Sequence, residues 1–175
     1  MSQMKHTARK HTGGVLSHPT EESTSIIRED PAGTIRVRTK SEALVGQIVA
    51  RMLPSSKIIG AVQAGLGIEE IESLRSVLGL PLEGLASKLG ISKATLHRRR
   101  VAGKLDPAES DRVVRFARLM GKAVEVLESE DNARRWLNSP QVGLGGAVPL
   151  DYAETEVGAR EVEDLLGRIE FGVYS

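Results

Sequence analysis

PLEGLASKLGISKATLHRRR, residues 81–100, is the stretch whose reading decides the fold. Leu82, Leu85, Ala86 and Leu89 recur at three- and four-residue steps and share one face of a first helix. Gly90 supplies the conformational freedom for a tight turn, and Ile91 plugs it. Ser92 is a natural N-cap for a second helix that begins at Lys93 and points Leu96 back to the core. A small residue such as Ala86 lets the two helices approach closely, which completes the pattern of a helix-turn-helix.

On the second helix Lys93 and His97 share an exposed stripe, Ala94 and Arg98 the next, and Arg99 and Arg100 extend the positive end. A helix of this kind presents its early residues to base edges in the major groove while flanking Lys and Arg neutralise phosphates. Lys93, Ala94, His97, Arg98, Arg99 and Arg100 are therefore the candidate contacts to double-stranded DNA. The competing reading is that the arginines only solvate a helix end and complement its dipole. Charge distribution favours DNA. The chain as a whole carries +1, but residues 88–118 hold nine basic and three acidic groups, and 119–175 hold five basic and eleven acidic. A compact basic stretch followed by an acidic one implies two different partners, one of them polyanionic.

Towards the N-terminus, Ile68, Ile71, Leu74 and Val77, with Leu78, mark an amphipathic helix. Before the Gly65–Gly67 break, a short helix carries Ile58, Ile59 and Val62. Another begins at Ser41, with Leu44, Ile48 and Met52 on one face and Pro54 stopping it. Residues 1–40 show no sustained apolar period and are expected to be disordered, with TIRVRTK the one place for a short strand. His6, His11 and His18 have no spacing that suits a compact metal site.

Towards the C-terminus, Asp106, Pro107 and Glu109 form a helix start. Val113, Phe116, Ala117, Met120, Val124 and Leu127 then give a long spine with an apolar stripe. Trp136 reads as a packing anchor. QVGLGGAVPL lacks the Gly-x-Gly-x-x-Gly order of a dinucleotide loop. A last helix, capped around Thr155, carries Val162, Leu165, Leu166 and Ile169, and Gly172 closes it ahead of Val173, Tyr174 and Ser175.

The 175 residues contain no Cys, 2 Phe, 2 Tyr and 1 Trp, so the core must be built from Leu, Ile, Val and Ala. That composition suits packed helices, and the expected fold class is all-α. Disulfides, thiolate metal sites and a cysteine nucleophile are excluded. His97 is the one histidine after residue 18, and no Ser-His-Asp or metal constellation assembles around it. We therefore expect no catalytic residues, no metal and no cofactor. No apolar run approaches a bilayer span, and MSQMKHTARKHTGG has no secretory signal pattern, so a cytoplasmic protein is expected.

From about Ile68 to Ser175 the chain resembles the antitoxins of the Xre/MbcA/ParS group, the partners of RES-domain toxins. LASKLGISKATLHRRR, RVVRFARLMGKAVEVL and the ending ARRWLNSPQVGLGGAVPLDYAETEVGAREVEDLLGRIEFGVYS carry the resemblance, in that order. The ending is the specific part, with Trp136, Pro140, Gly145, Gly146, Pro149, Thr155, Gly158 and Gly172 in place. The resemblance implies a chain that neutralises an NAD-consuming toxin by blocking its active site and, with it, represses its own promoter. The expected division is a tail at 1–40, a helical DNA-binding domain at 41–118 and a toxin-binding domain at 119–175, with residues 1–66 outside the resemblance. Val162, Leu165, Leu166, Ile169, Val173, Tyr174 and Ser175 are then the expected toxin contacts, and a homodimer the expected assembly. A free-standing transcription regulator whose C-terminal domain dimerises or senses a ligand is the alternative.

Overall fold

A computed structural model describes residues 26–29, 35–38 and 43–172. Two short strands, β1 (Ile26–Glu29) and β2 (Ile35–Arg38), pair antiparallel with Ile26 opposite Arg38. They lie within the segment expected to be disordered, and β2 falls on TIRVRTK. The rest of that segment, including His6, His11 and His18, lies outside the described residues.

From residue 43 onward the chain is helical: α1 (Leu44–Val49), α2 (Ser55–Ala64), α3 (Glu69–Leu78), α4 (Leu82–Lys88), α5 (Lys93–Ala102), α6 (Pro107–Leu127), α7 (Glu130–Leu137), α8 (Pro149–Tyr152) and α9 (Glu156–Glu170). A single 3-10 turn, Val142–Leu144, precedes α8. The all-α expectation holds for this body.

α6 is the axis, and α1, α2, α3, α7 and α9 all pack on it. Its start is set locally. The Asp106 side chain accepts from Glu109 N–H at 2.7 Å, the Glu109 carboxylate accepts from Asp106 N–H at 2.9 Å, and Pro107 occupies the first turn. Val113, Phe116, Ala117 and Met120 are buried, with Val124 and Leu127 packed against the same cluster. That cluster runs without interruption from Val45 to Leu166, so one core serves both halves of the chain. The boundary expected at 118/119 falls inside α6, which belongs to both.

α1 departs from expectation. It ends at Val49, where Met52 N–H donates to Gln47 O and Arg51 N–H to Ile48 O, both at 2.9 Å, with Arg51 left-handed at φ 54°. This closing pattern ends the helix before Pro54 is reached. Met52 is thrown outward and is 72% exposed, whereas Val45 and Ile48 are buried.

Candidate functional site

The α4–α5 pair has the geometry that its local signals dictate. At the end of α4, Ile91 N–H donates to Ala86 O at 2.8 Å and Gly90 N–H to Ser87 O at 2.9 Å, with Gly90 at φ 64°. Ile91 is buried in the turn. Ser92 Oγ accepts from Thr95 N–H at 3.1 Å and so caps α5. Leu85 and Leu96 are buried between the helices.

Lys93, Ala94, His97, Arg98 and Arg100 lie exposed on the outer face of α5. Arg99 does not join them. Its Nε donates to Glu109 Oε2 and its Nη2 to Asp106 Oδ2, both at 2.7 Å, so the side chain lies against the start of α6. These carboxylates, the Glu109 hydrogen bond foremost, raise the Arg99 guanidinium above its ordinary value. The reason is helical phase: one residue beyond Arg98, the side chain points towards the α6 cap.

The basic stretch is also more neutralised than its composition implies. Lys93 pairs with Glu83 at 2.9 Å, Arg100 with Glu72 at 3.8 Å and Lys88 with Asp151. Arg115 pairs with Asp111 and Glu156, each at 3.2 Å. Arg112 donates to the Leu89 carbonyl at the end of α4. The hydrogen bond to Glu83 raises the Lys93 ammonium, and Lys93 lowers Glu83, so both are charged at neutral pH. Within residues 88–118, Arg98, Lys104, Arg112 and Arg118 have no carboxylate partner among the described residues. The partners Glu72, Glu83 and Asp151 were not visible as functional residues in the sequence, because each lies at least ten positions from the cation it meets.

The second candidate surface is built on α9, which Arg115–Glu156 and Lys122–Glu170 hold against α6. Val162 and Leu166, expected to meet a partner, are instead 0% exposed and lie in the chain's own core. The stripe that makes α9 amphipathic is the stripe that packs it on α6, and a side chain cannot be spent twice. Leu165 and Ile169 are half-buried, Leu165 resting over Gly143. Val173, Tyr174 and Ser175 lie outside the described residues. Among the described residues of this segment, the large apolar groups that remain outward are Val142 (96% exposed), Tyr152, Val157 and Phe171 (79%). Solitary apolar residues at a turn or helix end carry no periodicity, so nothing in the sequence marked them.

The same segment is tied to the end of α3, the helix before the helix-turn-helix. Arg134 Nε donates to Val77 O and Asn138 Nδ2 to Leu78 O, both at 3.1 Å, which satisfies carbonyls at the end of α3. QVGLGGAVPL forms a closed turn in which Gln141 N–H donates to Ala147 O at 3.0 Å. Trp136 packs partly against the core beside Leu127, as an anchor would. A cavity of about 230 Å³ lies between α3, α4 and α5, apolar at Ile68, Ile71, Leu82 and Leu96 with Glu72 and Arg100 at its rim. Among the described residues no group of three or more His, Cys, Asp or Glu could hold a metal, and no helix is long and apolar enough to cross a membrane.

Residues 57–118 match the antitoxin Xre-like helix-turn-helix domain, and residues 122–172 match the antitoxin Xre/MbcA/ParS C-terminal toxin-binding domain. The chain is similar to an Antitoxin Xre of Yersinia enterocolitica serotype O:8 / biotype 1B, at 34% identity over 139 residues, 78% of this chain and 94% of that one. It is similar to an Antitoxin Xre of Photorhabdus laumondii subsp. laumondii at 42% over 74 residues, 42% of this chain and 50% of that one. A Prs ADP-ribosylating antitoxin of a Sphingobium species is 23% identical over 127 residues, 67% of this chain and 80% of that one.

Proposed function

This chain belongs to the Xre family of antitoxins, and from that premise we propose that it neutralises a RES-domain, NAD-degrading toxin and represses its own promoter. The observation that carries the reading is the pair of chemically opposite exposed faces on one hydrophobic core: the cationic face of α5 and the apolar margin around α9.

Lys93, Ala94, His97, Arg98 and Arg100 are the residues that α5 can offer to a major groove. Arg99, committed to α6, supports that surface from behind. Around α9, Leu165 and Ile169 are half-buried and Val142 and Phe171 exposed, and we assign the toxin contact to these apolar residues and the charges that surround them. The ending Val173–Ser175 continues from Phe171 and Gly172 and is placed by this reading at the toxin's active site. The relative named as an ADP-ribosylating antitoxin supports a connection to NAD chemistry, since NAD is the ordinary ADP-ribose donor. The chain itself acts by binding, as a homodimer, without catalysis.

The test is co-expression with the adjacent reading frame, followed by size exclusion and measurement of cellular NAD. A stable complex that preserves NAD is the expected result. A chain that elutes alone while the neighbouring product leaves NAD untouched would favour a free-standing regulator. Deleting residues 172–175 then assigns the inhibitory contact: a truncated chain that still binds but no longer protects NAD places inhibition in the tail. Full protection by the truncated chain places it in α9 and its margin.

A further inference from the structure

We propose that Glu83 and Glu72 act as an electrostatic brake on the DNA-binding face, holding Lys93 and Arg100 away from phosphates and thereby setting sequence specificity. The inference rests on the reading of α5 as the helix that enters the major groove.

The placement of the two carboxylates supports it. Lys93 is the first residue of α5 and Arg100 lies two turns on, so the pairs bracket the exposed face that contains Ala94, His97 and Arg98. Glu83 reaches Lys93 from the first turn of α4, the helix that crosses the phosphate backbone in this class of motif. Glu72 reaches Arg100 from α3.

These contacts do little for the fold. Lys93 and Glu83 are 85% and 75% exposed, and ion pairs in open solvent contribute almost nothing to stability. Their effect falls on a third body. A phosphate that contacts Lys93 must take it from Glu83, and it meets the carboxylate's own charge as it does so. Attraction to phosphate carries no sequence information, whereas hydrogen bonds to base edges do. Carboxylates at the two ends of the reading face therefore weigh most on complexes held by phosphates alone, and less on the promoter, where base contacts by the central residues keep α5 in the groove. Arg98, which has no carboxylate partner among the described residues, keeps its full charge between the two pairs.

The magnitude is measurable. Each cation released to contact a phosphate steepens the slope of log K against log salt by about 0.9, which at 0.1 M salt corresponds to roughly five- to tenfold in affinity. Glu83→Gln is the cleaner variant, because Glu72 also accepts from Arg75 Nε at 2.8 Å.

The experiment measures binding of the full-length chain to a duplex of its own promoter and to a scrambled duplex, from 50 to 200 mM salt. Wild type, Glu83→Gln, Glu72→Gln and the double variant are compared, with melting curves for each. The expected result is a steeper slope and at least about fivefold tighter binding to the scrambled duplex for Glu83→Gln. A smaller gain on the promoter lowers the specificity ratio, and the melting temperature does not move. In a Lys93→Met background the gain from Glu83→Gln shrinks, because the cation it would release is gone. Unchanged scrambled-duplex binding overturns the brake, as does a gain that survives intact in Lys93→Met. Selective loss of promoter binding in Glu83→Gln also overturns it and makes Glu83 a base reader. A wild-type chain that binds neither duplex overturns the DNA reading itself and the brake with it.

Discussion

Arg99 and Glu109 are joined across the turn between α5 and α6, the guanidinium Nε donating to the carboxylate Oε2 at 2.7 Å. That same oxygen accepts the Asp106 N–H of the α6 capping box, and Asp106 in turn accepts from Arg99 Nη2. A residue whose sequence context reads as a nucleic-acid contact is thus a strut that fixes the recognition helix relative to the spine.

Arg99 and its neighbour Arg98 should therefore separate cleanly. Arg99→Ala leaves the buried Glu109 carboxylate without its cation, so the melting temperature falls while the salt slope of DNA binding is unchanged. Arg98→Ala should leave melting unchanged and make the slope shallower by about 0.9 if Arg98 meets a phosphate. Titration on the promoter at two salt concentrations, with a melting curve for each variant, distinguishes the two roles. A shallower slope in Arg99→Ala with normal melting would restore it to the DNA face.

Glu70 is buried in α3, and its carboxylate accepts Leu44 N–H at 3.0 Å and Val45 N–H at 2.9 Å, capping α1 from 25 positions away. Glu70→Gln replaces one acceptor oxygen by a donor that opposes an amide N–H. The expected loss is about 1–3 kcal/mol in urea unfolding, the cost of an unsatisfied buried group. Wild-type stability would show that α1 does not depend on this cap.

Gly158 sits in the first turn of α9, where a Cβ would come 1.8 Å from the Tyr152 carbonyl oxygen. That atom belongs to the backbone and cannot swing aside. Gly158→Ala should cost about 3 kcal/mol or more by displacing α8 from α9. Gly167, with open space around it in the same helix, is the control. Gly167→Ala should stabilise by about 0.5–1 kcal/mol. Equal melting curves for the two variants would refute the close approach.

The apolar residues of the last third divide by burial. Val162→Asp places an unpaired charge in the core and should unfold the segment, an effect above about 4 kcal/mol. Val142→Asp and Phe171→Asp should change stability by less than about 0.5 kcal/mol and weaken toxin binding instead. Pull-down of the toxin beside circular dichroism reads both effects. Intact toxin binding by the Val142/Phe171 double variant would move the interface elsewhere.

The helix-turn-helix was legible because everything that makes it is local. The Gly90 turn is specified within six residues, the Ser92 cap within four, and the inward leucines repeat at the helical period. The α6 start at Asp106, Pro107 and Glu109 is of the same kind. Met52 shows the limit of such reasoning. Its spacing from Ile48 fits a helix, yet an ordinary arginine closes α1 first in a conformation that usually calls for glycine.

The sequence by itself thus determined the helices, their caps, the helix-turn-helix and the outward face of α5, because each depends on interactions within a turn or two of chain. Only the tertiary structure decided which charges and apolar groups remain available. Arg99 is claimed by α6, Lys93 by α4, Arg100 by α3, and Val162 and Leu166 by the core. Periodicity names the apolar side of a helix but not what covers it, and a count of charges does not reveal which carboxylates the fold will bring beside them.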